Sequence, residues 1–123
     1  MKQIALLLLL ASFIVILFDI FASLFSFNFQ INYAYFSIVS FFIYAYIGFY
    51  CAKYGNLFWA AVGGGIIGLV DSTFGWYMSS MIHRGQFLIE MTASEMIATM
   101  LFVFLTAMIF GLIGGLISRR LNR

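Results

Sequence analysis

The sequence predicts an all-α fold, an integral membrane four-helix bundle with both termini in the cytoplasm. Three observations predict it. Charged residues make up 8% of the 123 positions and hydrophobic ones 65%, with no proline; soluble domains carry about 25% charged residues, so this chain lacks the means to cover a water-facing surface. The apolar residues group into four segments, over about 4–25, 33–52, 57–78 and 93–117, each near the roughly 20 residues that a helix needs to cross the hydrocarbon. The basic residues Lys2, Lys53, Arg119, Arg120 and Arg123 fall on one side of such a four-span arrangement and leave Arg84 on the other. The positive-inside rule then sets both ends in the cytoplasm, in a multi-pass protein of the inner membrane. The four spans take up nearly the whole chain as one transmembrane domain, 1–123.

The first span follows Lys2. Its apolar stretch is about twice as long as a signal-peptide core and no A-x-A site follows, so a retained helix is expected. Ser12, Asp19, Ser23 and Ser26 recur at helical spacing and share one face, which should look into the bundle. Residues 26–32 form a polar, uncharged connector. In the second span Tyr33, Ser37, Ser40, Tyr44, Gly48 and Cys51 form a second inner stripe, with bulky Phe42, Tyr46 and Phe49 elsewhere.

Gly55 and Asn56 divide the second span from the third: glycine suits a left-handed C′ position and asparagine an N-cap. Trp59 at the start of the third span, with Trp76 and Tyr77 at its end, matches interfacial aromatic belts. The third span has half as many Leu, Ile, Val and Phe residues as the first, and one aspartate, as the first has. Its insertion free energy sums to near zero, on the order of 1 kcal/mol, so it should depend on its neighbours and lie centrally. A turn with His83, Arg84, Gly85 and Glu90 follows. Thr92 and Glu95 have the spacing of a capping box that opens the fourth span.

Two sets of residues stand out. Ala60, Gly64, Gly68 and Gly75 in the third span, and Ala107, Gly111 and Gly115 in the fourth, are small residues on one side of each helix, which lets backbones approach closely. They are expected to pack helix on helix, within the chain or against a second copy. The other set is ionisable. Asp19 lies about six residues and Asp71 about seven below the outer ends of their helices, roughly 9 and 10 Å, so the two carboxyls should share one level. Acids inside a span usually face a cavity, an ion path or a partner. Asp71, Asp19, Ser72, Thr73 and Tyr44 are therefore the expected ion- or proton-binding residues. The structural alternative is that hydroxyls such as those of Tyr44 or Thr106 satisfy the acids and only fix the packing.

Other chemistries lack residues to carry them. The net charge of +2 is too small and dispersed for nucleic acid. A single cysteine, Cys51, excludes an intrachain disulfide and any CxxC motif. No nucleophile triad, HExxH or phosphate loop occurs, and His83 has no second ligand at metal spacing. The chain is thus expected to be no enzyme and to hold no cofactor or metal. In size and span count it resembles the small multidrug exporters, and in size the fluoride channels, but LFDIF around Asp19 and GLVDSTFGW around Asp71 match the motif of neither family. The expectation is a small homo-oligomeric channel or transporter for protons or small cations. The alternatives are a non-catalytic subunit that assembles with another membrane protein, or a holin-like membrane-depolarising protein.

Overall fold

The structure, a computed structural model, describes residues 1–75, 77 and 92–123. Among them it is all-helical. The elements are α1 (Lys2–Phe29), a 3-10 turn (Tyr33–Phe36), α2 (Ser37–Tyr54), α3 (Leu57–Val70), a π-helical turn (Asp71–Gly75) that continues α3, and α4 (Ala93–Leu121). The expected outer turn with His83, Arg84, Gly85 and Glu90, and the belt residue Trp76, lie outside the described residues. Three helical stretches, Lys2–Phe29, Leu57–Gly75 and Ala93–Leu121, are long and apolar enough to cross a membrane, which points to a membrane protein. α2 is not among them, because its 18 residues include several tyrosines and Lys53.

The helix ends follow local chemistry. α1 runs past its expected limit through Phe29, since nothing in Ser26–Phe29 stops a helix. It ends at Gln30, which takes a left-handed conformation (φ 53°) and returns its N–H to the Ser26 carbonyl. The Ser26 hydroxyl donates to the Ile31 carbonyl, so one serine closes this end twice. Asn56 caps α3 as expected, its side chain accepting from the Trp59 N–H at 3.1 Å. Gly55 does not take the expected left-handed form: its φ is −144° and ψ −111°. The position is crowded by two side-chain ends, since a Cβ would stand 2.9 Å from Ile4 Cδ1 and 3.0 Å from Trp59 Cδ1. The capping box of α4 is complete, with Thr92 N–H donating to Glu95 at 2.8 Å and Glu95 N–H to Thr92 at 3.3 Å. α4 continues to Leu121 with Arg119 and Arg120 in its last turn, where cations favour the helix dipole.

Tight seams hold the helices together. A Cβ on Gly64 would stand 2.5 Å from the Ala107 carbonyl oxygen and 3.0 Å from Gly111 Cα, and one on Gly115 would stand 2.6 Å from Ala60 Cβ. Gly68 faces Ala107 in the same way. Ala60, Gly64 and Gly68 of α3 thus run antiparallel to Ala107, Gly111 and Gly115 of α4. On its other flank α4 meets α2, with Gly111 against Gly48 and Gly114 against Ala45, and Phe41 stacks on Phe110 at 4.7 Å. Gly111 is therefore the point where three backbones converge. Over its most apolar 18 residues, Leu57–Gly75 is 39% buried, against 22% for Lys2–Phe29 and 11% for Ala93–Leu121. The helix least able to insert alone is the one most enclosed.

α1 is the outer member, joined to the rest through Ile4, Ala11, Val15, Asp19, Ala22, Ser23 and Ser26. Ile4 near its start meets Gly55, and Gly115 near the end of α4 meets Leu57 and Ala52. These contacts gather Lys2, Lys53, Arg119, Arg120 and Arg123 at one end of the molecule, away from both aspartates.

Candidate functional site

The polar centre is assembled by three helices at the level of the π turn. α1 contributes Asp19, which is 1% exposed. α2 contributes Tyr44 and Ser40, both buried, and α3 with its π turn contributes Asp71, half-buried, and Gly75, buried. The Tyr44 hydroxyl donates to Asp71 Oδ2. Ser40, one helical turn before it, and the Asp19 carboxylate are both close enough to act on the same phenol. A Cβ on Gly75 would stand 2.5 Å from Asp19 Oδ2 and 3.2 Å from Oδ1, so the carboxylate lies directly on the glycine backbone.

The sequence dictates this arrangement locally. Asp71, Ser72 and Thr73 are three successive residues whose side chains compete for backbone hydrogen bonds, which weakens a regular α-helix. The Thr73 hydroxyl donates to the Leu69 carbonyl at 2.6 Å, and Ser72 to the same carbonyl at 3.2 Å. The register widens by one residue over Asp71–Gly75, a device frequent at functional sites. The widened turn is where Gly75 meets Asp19 and Asp71 meets Tyr44. Only glycine at 75 leaves room for a carboxylate on the helix backbone.

Asp19, Tyr44 and Asp71 are thus brought together, with the two acids at one level. Ser72 and Thr73 are not turned into the centre: their hydroxyls bond to their own helix, and Thr73 is exposed. Thr106 likewise donates to the Phe102 carbonyl at 2.7 Å. Thr73, Phe74 and Tyr77 line an open, apolar depression of about 300 Å³ beside the π turn. The small residues Ala60, Gly64, Gly68, Ala107, Gly111 and Gly115 lie in the interhelical seam, and Gly75 stands apart from it against Asp19.

No known protein family, curated protein or solved structure matches this chain. Its function has to be read from the centre itself. Sequence reasoning missed Ser40 as a partner of Tyr44, although the two stand four apart on the inner stripe of α2. It also missed the π turn, whose signal was the Asp-Ser-Thr run ahead of Gly75.

The chemistry open to this centre is narrow. Among the described residues it offers carboxylate and hydroxyl oxygens. Among the described residues no three His, Cys, Asp or Glu side chains come together. Every described cation is at the far end of the helices.

Proposed function

We propose that the protein is a small membrane channel or transporter that handles protons or small cations at the Asp19–Tyr44–Asp71 centre. In this reading all four helices cross the bilayer as a bundle. The end with five cations faces the cytoplasm, so both termini are inside. The observation that carries the reading is the hydrogen bond from Tyr44 to Asp71 beside the enclosed Asp19. It links three helices through ionisable groups at one depth, where a merely structural contact would be cheaper to make from apolar side chains.

Four short helices enclose little volume, so we further propose that the working form is a homo-oligomer. The glycine stripe is occupied between α3 and α4 of one chain, so self-association uses other faces. The first turns of α4, from Ala93 to Thr99, are exposed throughout, and this favours the second reading, a non-catalytic subunit whose α4 meets another membrane protein.

The test is flux in liposomes containing the purified chain. Asp71→Asn keeps an acceptor for Tyr44 while removing the ionisable group. The expected result is at least a tenfold fall in proton or sodium flux with the melting temperature held within a few degrees. Equal flux in the variant, or no flux of protons, sodium or potassium through the unmodified protein, overturns the proposal.

A further inference from the structure

The end of the molecule away from the aspartates is strongly charged. Lys2, Lys53, Arg119, Arg120 and Arg123 are all exposed there, and three helices bring them together. Ile4, two residues after Lys2, lies against Gly55 between α2 and α3, and Gly115 of α4 lies against Ala52 of α2. Lys53 is the next residue on α2, and Arg119 stands one helical turn, about 6 Å, beyond Gly115. The described acids are elsewhere, Asp19 and Asp71 in the polar centre and Glu95 in the first turn of α4. Charge alone does not name a partner, since topology asks only for an excess of cations on one side. The surface leading to the arginines does. Ile113, Leu116 and Ile117 are 43%, 53% and 49% exposed, and their spacing of three and four residues carries one apolar strip down α4 to Arg120. Ser118 on the same turn is buried, and its carbonyl accepts from Asn122 Nδ2 at 2.9 Å, which closes the last turn under the arginines. On α2, Lys53 Nζ lies 5.9 Å from the centroid of the Tyr50 ring, and Tyr54 beside it is exposed; such rings sit at the level of lipid headgroups.

We propose that this end binds a phospholipid with an anionic headgroup, its phosphate held by Arg119 and Arg120 with Lys53 adding charge, and its acyl chains lying along Ile113, Leu116 and Ile117. The inference needs the chain to lie in a membrane and nothing of the ion-handling reading. Guanidinium groups take phosphate oxygens in pairs of parallel hydrogen bonds, and clusters of Lys and Arg at the end of a membrane helix attract anionic lipid. A soluble polyanion or a free phosphate would meet the same cations and leave the apolar strip uncovered. A lipid matches both parts in the order in which α4 presents them, hydrocarbon first and charge at the end.

The experiment uses the full chain in nanodiscs of phosphatidylcholine, alone or mixed with phosphatidylglycerol, reading thermal unfolding and, by native mass spectrometry, the lipid retained on release. Phosphatidylglycerol is expected to raise the unfolding midpoint saturably and to be retained at least tenfold in preference to phosphatidylcholine. Each cation near an anionic surface is worth about fivefold in affinity. Arg119→Gln combined with Arg120→Gln should therefore unfold in phosphatidylcholine as the unmodified protein does and lose at least tenfold of the preference, while Arg119→Lys with Arg120→Lys keeps most of it. Lys53→Gln, on a different helix, should lose about fivefold, and it decides the matter if the double glutamine variant does not fold. No preference for phosphatidylglycerol in the unmodified protein, or a full preference in the glutamine variants that fold, overturns the inference. Inorganic phosphate added to phosphatidylcholine discs should leave the midpoint unchanged; a rise equal to that given by phosphatidylglycerol would show a phosphate site and overturn the lipid. Flux plays no part in these readings, so their failure leaves the ion-handling proposal where Asp71→Asn puts it.

Discussion

α3 makes two kinds of contact with its neighbours, and they are built on opposite principles. Toward α4 it presents Ala60, Gly64 and Gly68, and the contact is backbone on backbone with no room for a methyl group. Toward α1 and α2 its continuation presents Asp71 and Gly75, and the contact is a carboxylate, a phenol and a second carboxylate. The first kind gains from close packing alone, as lipid tails give helices no hydrophobic reason to associate. The second places costly groups in the interior, and their cost is met by pairing. One helix therefore has a side that meets its neighbour backbone on backbone and a side that meets its neighbours through the ends of polar side chains.

The sharpest way to break this contrast is at Gly111, where backbone lies on both sides. A Cβ there would meet the Ala60 carbonyl oxygen, with Gly64 Cα at 3.1 Å. Backbone cannot swing aside as a side chain can. Gly111→Ala gains about 1 kcal/mol of helix propensity, but overpacking costs about 1–3 kcal/mol and more where backbones must separate. The expected net loss is about 2 kcal/mol, read as a lower unfolding midpoint in detergent and reduced yield. A neutral or stabilising effect would show that the seam is looser than described.

Tyr44→Phe comes next in size. It removes the donor to Asp71 and keeps the ring, so the packing of a side chain that is 2% exposed is preserved. Hydrogen bonds between membrane helices average about 0.6 kcal/mol with a maximum near 1.7, and a stability loss of about 1 kcal/mol is expected here. Flux should change far more than stability, because Asp71 loses the group that orients it. A variant that loses stability and keeps its flux would return this contact to the structural class to which the seam belongs.

The contrast also marks what could be read from sequence. The four helices, the Asn56 cap, the Thr92–Glu95 box and the buried face of α1 followed from residue type and spacing, since each depends on interactions within one or two turns. The placing of Asp19 and Asp71 near one level followed from depth alone. The limits came where geometry depends on two elements at once. Gly48 and Gly114 read as ordinary small residues until α2 and α4 are placed side by side. Gly55 reads as a helix stop, and nothing local reports that Ile4, fifty-one residues earlier, lies against it. The π turn was hidden for a different reason: α and π registers differ by one residue per bond, and hydroxyls of Ser72 and Thr73 tip a balance that hydrophobic periodicity does not report.

Gly75→Ala is expected to have the smallest effect on stability and tests the contrast most directly, because it adds the same methyl group as the change at Gly111. Its nearest neighbours are Asp19 Oδ2 at 2.5 Å and Oδ1 at 3.2 Å, the end of a side chain. That end can rotate away, so the steric cost should roughly cancel the helix-propensity gain of about 1 kcal/mol. An unfolding midpoint close to that of the unmodified protein is expected. The displaced carboxylate is the functional consequence: Asp19 would shift relative to Tyr44, and flux should fall severalfold while stability holds. If Gly75→Ala instead unfolds the protein as Gly111→Ala does, the carboxylate is locked in place as rigidly as the seam. The two sides of α3 would then differ in composition and not in freedom to move.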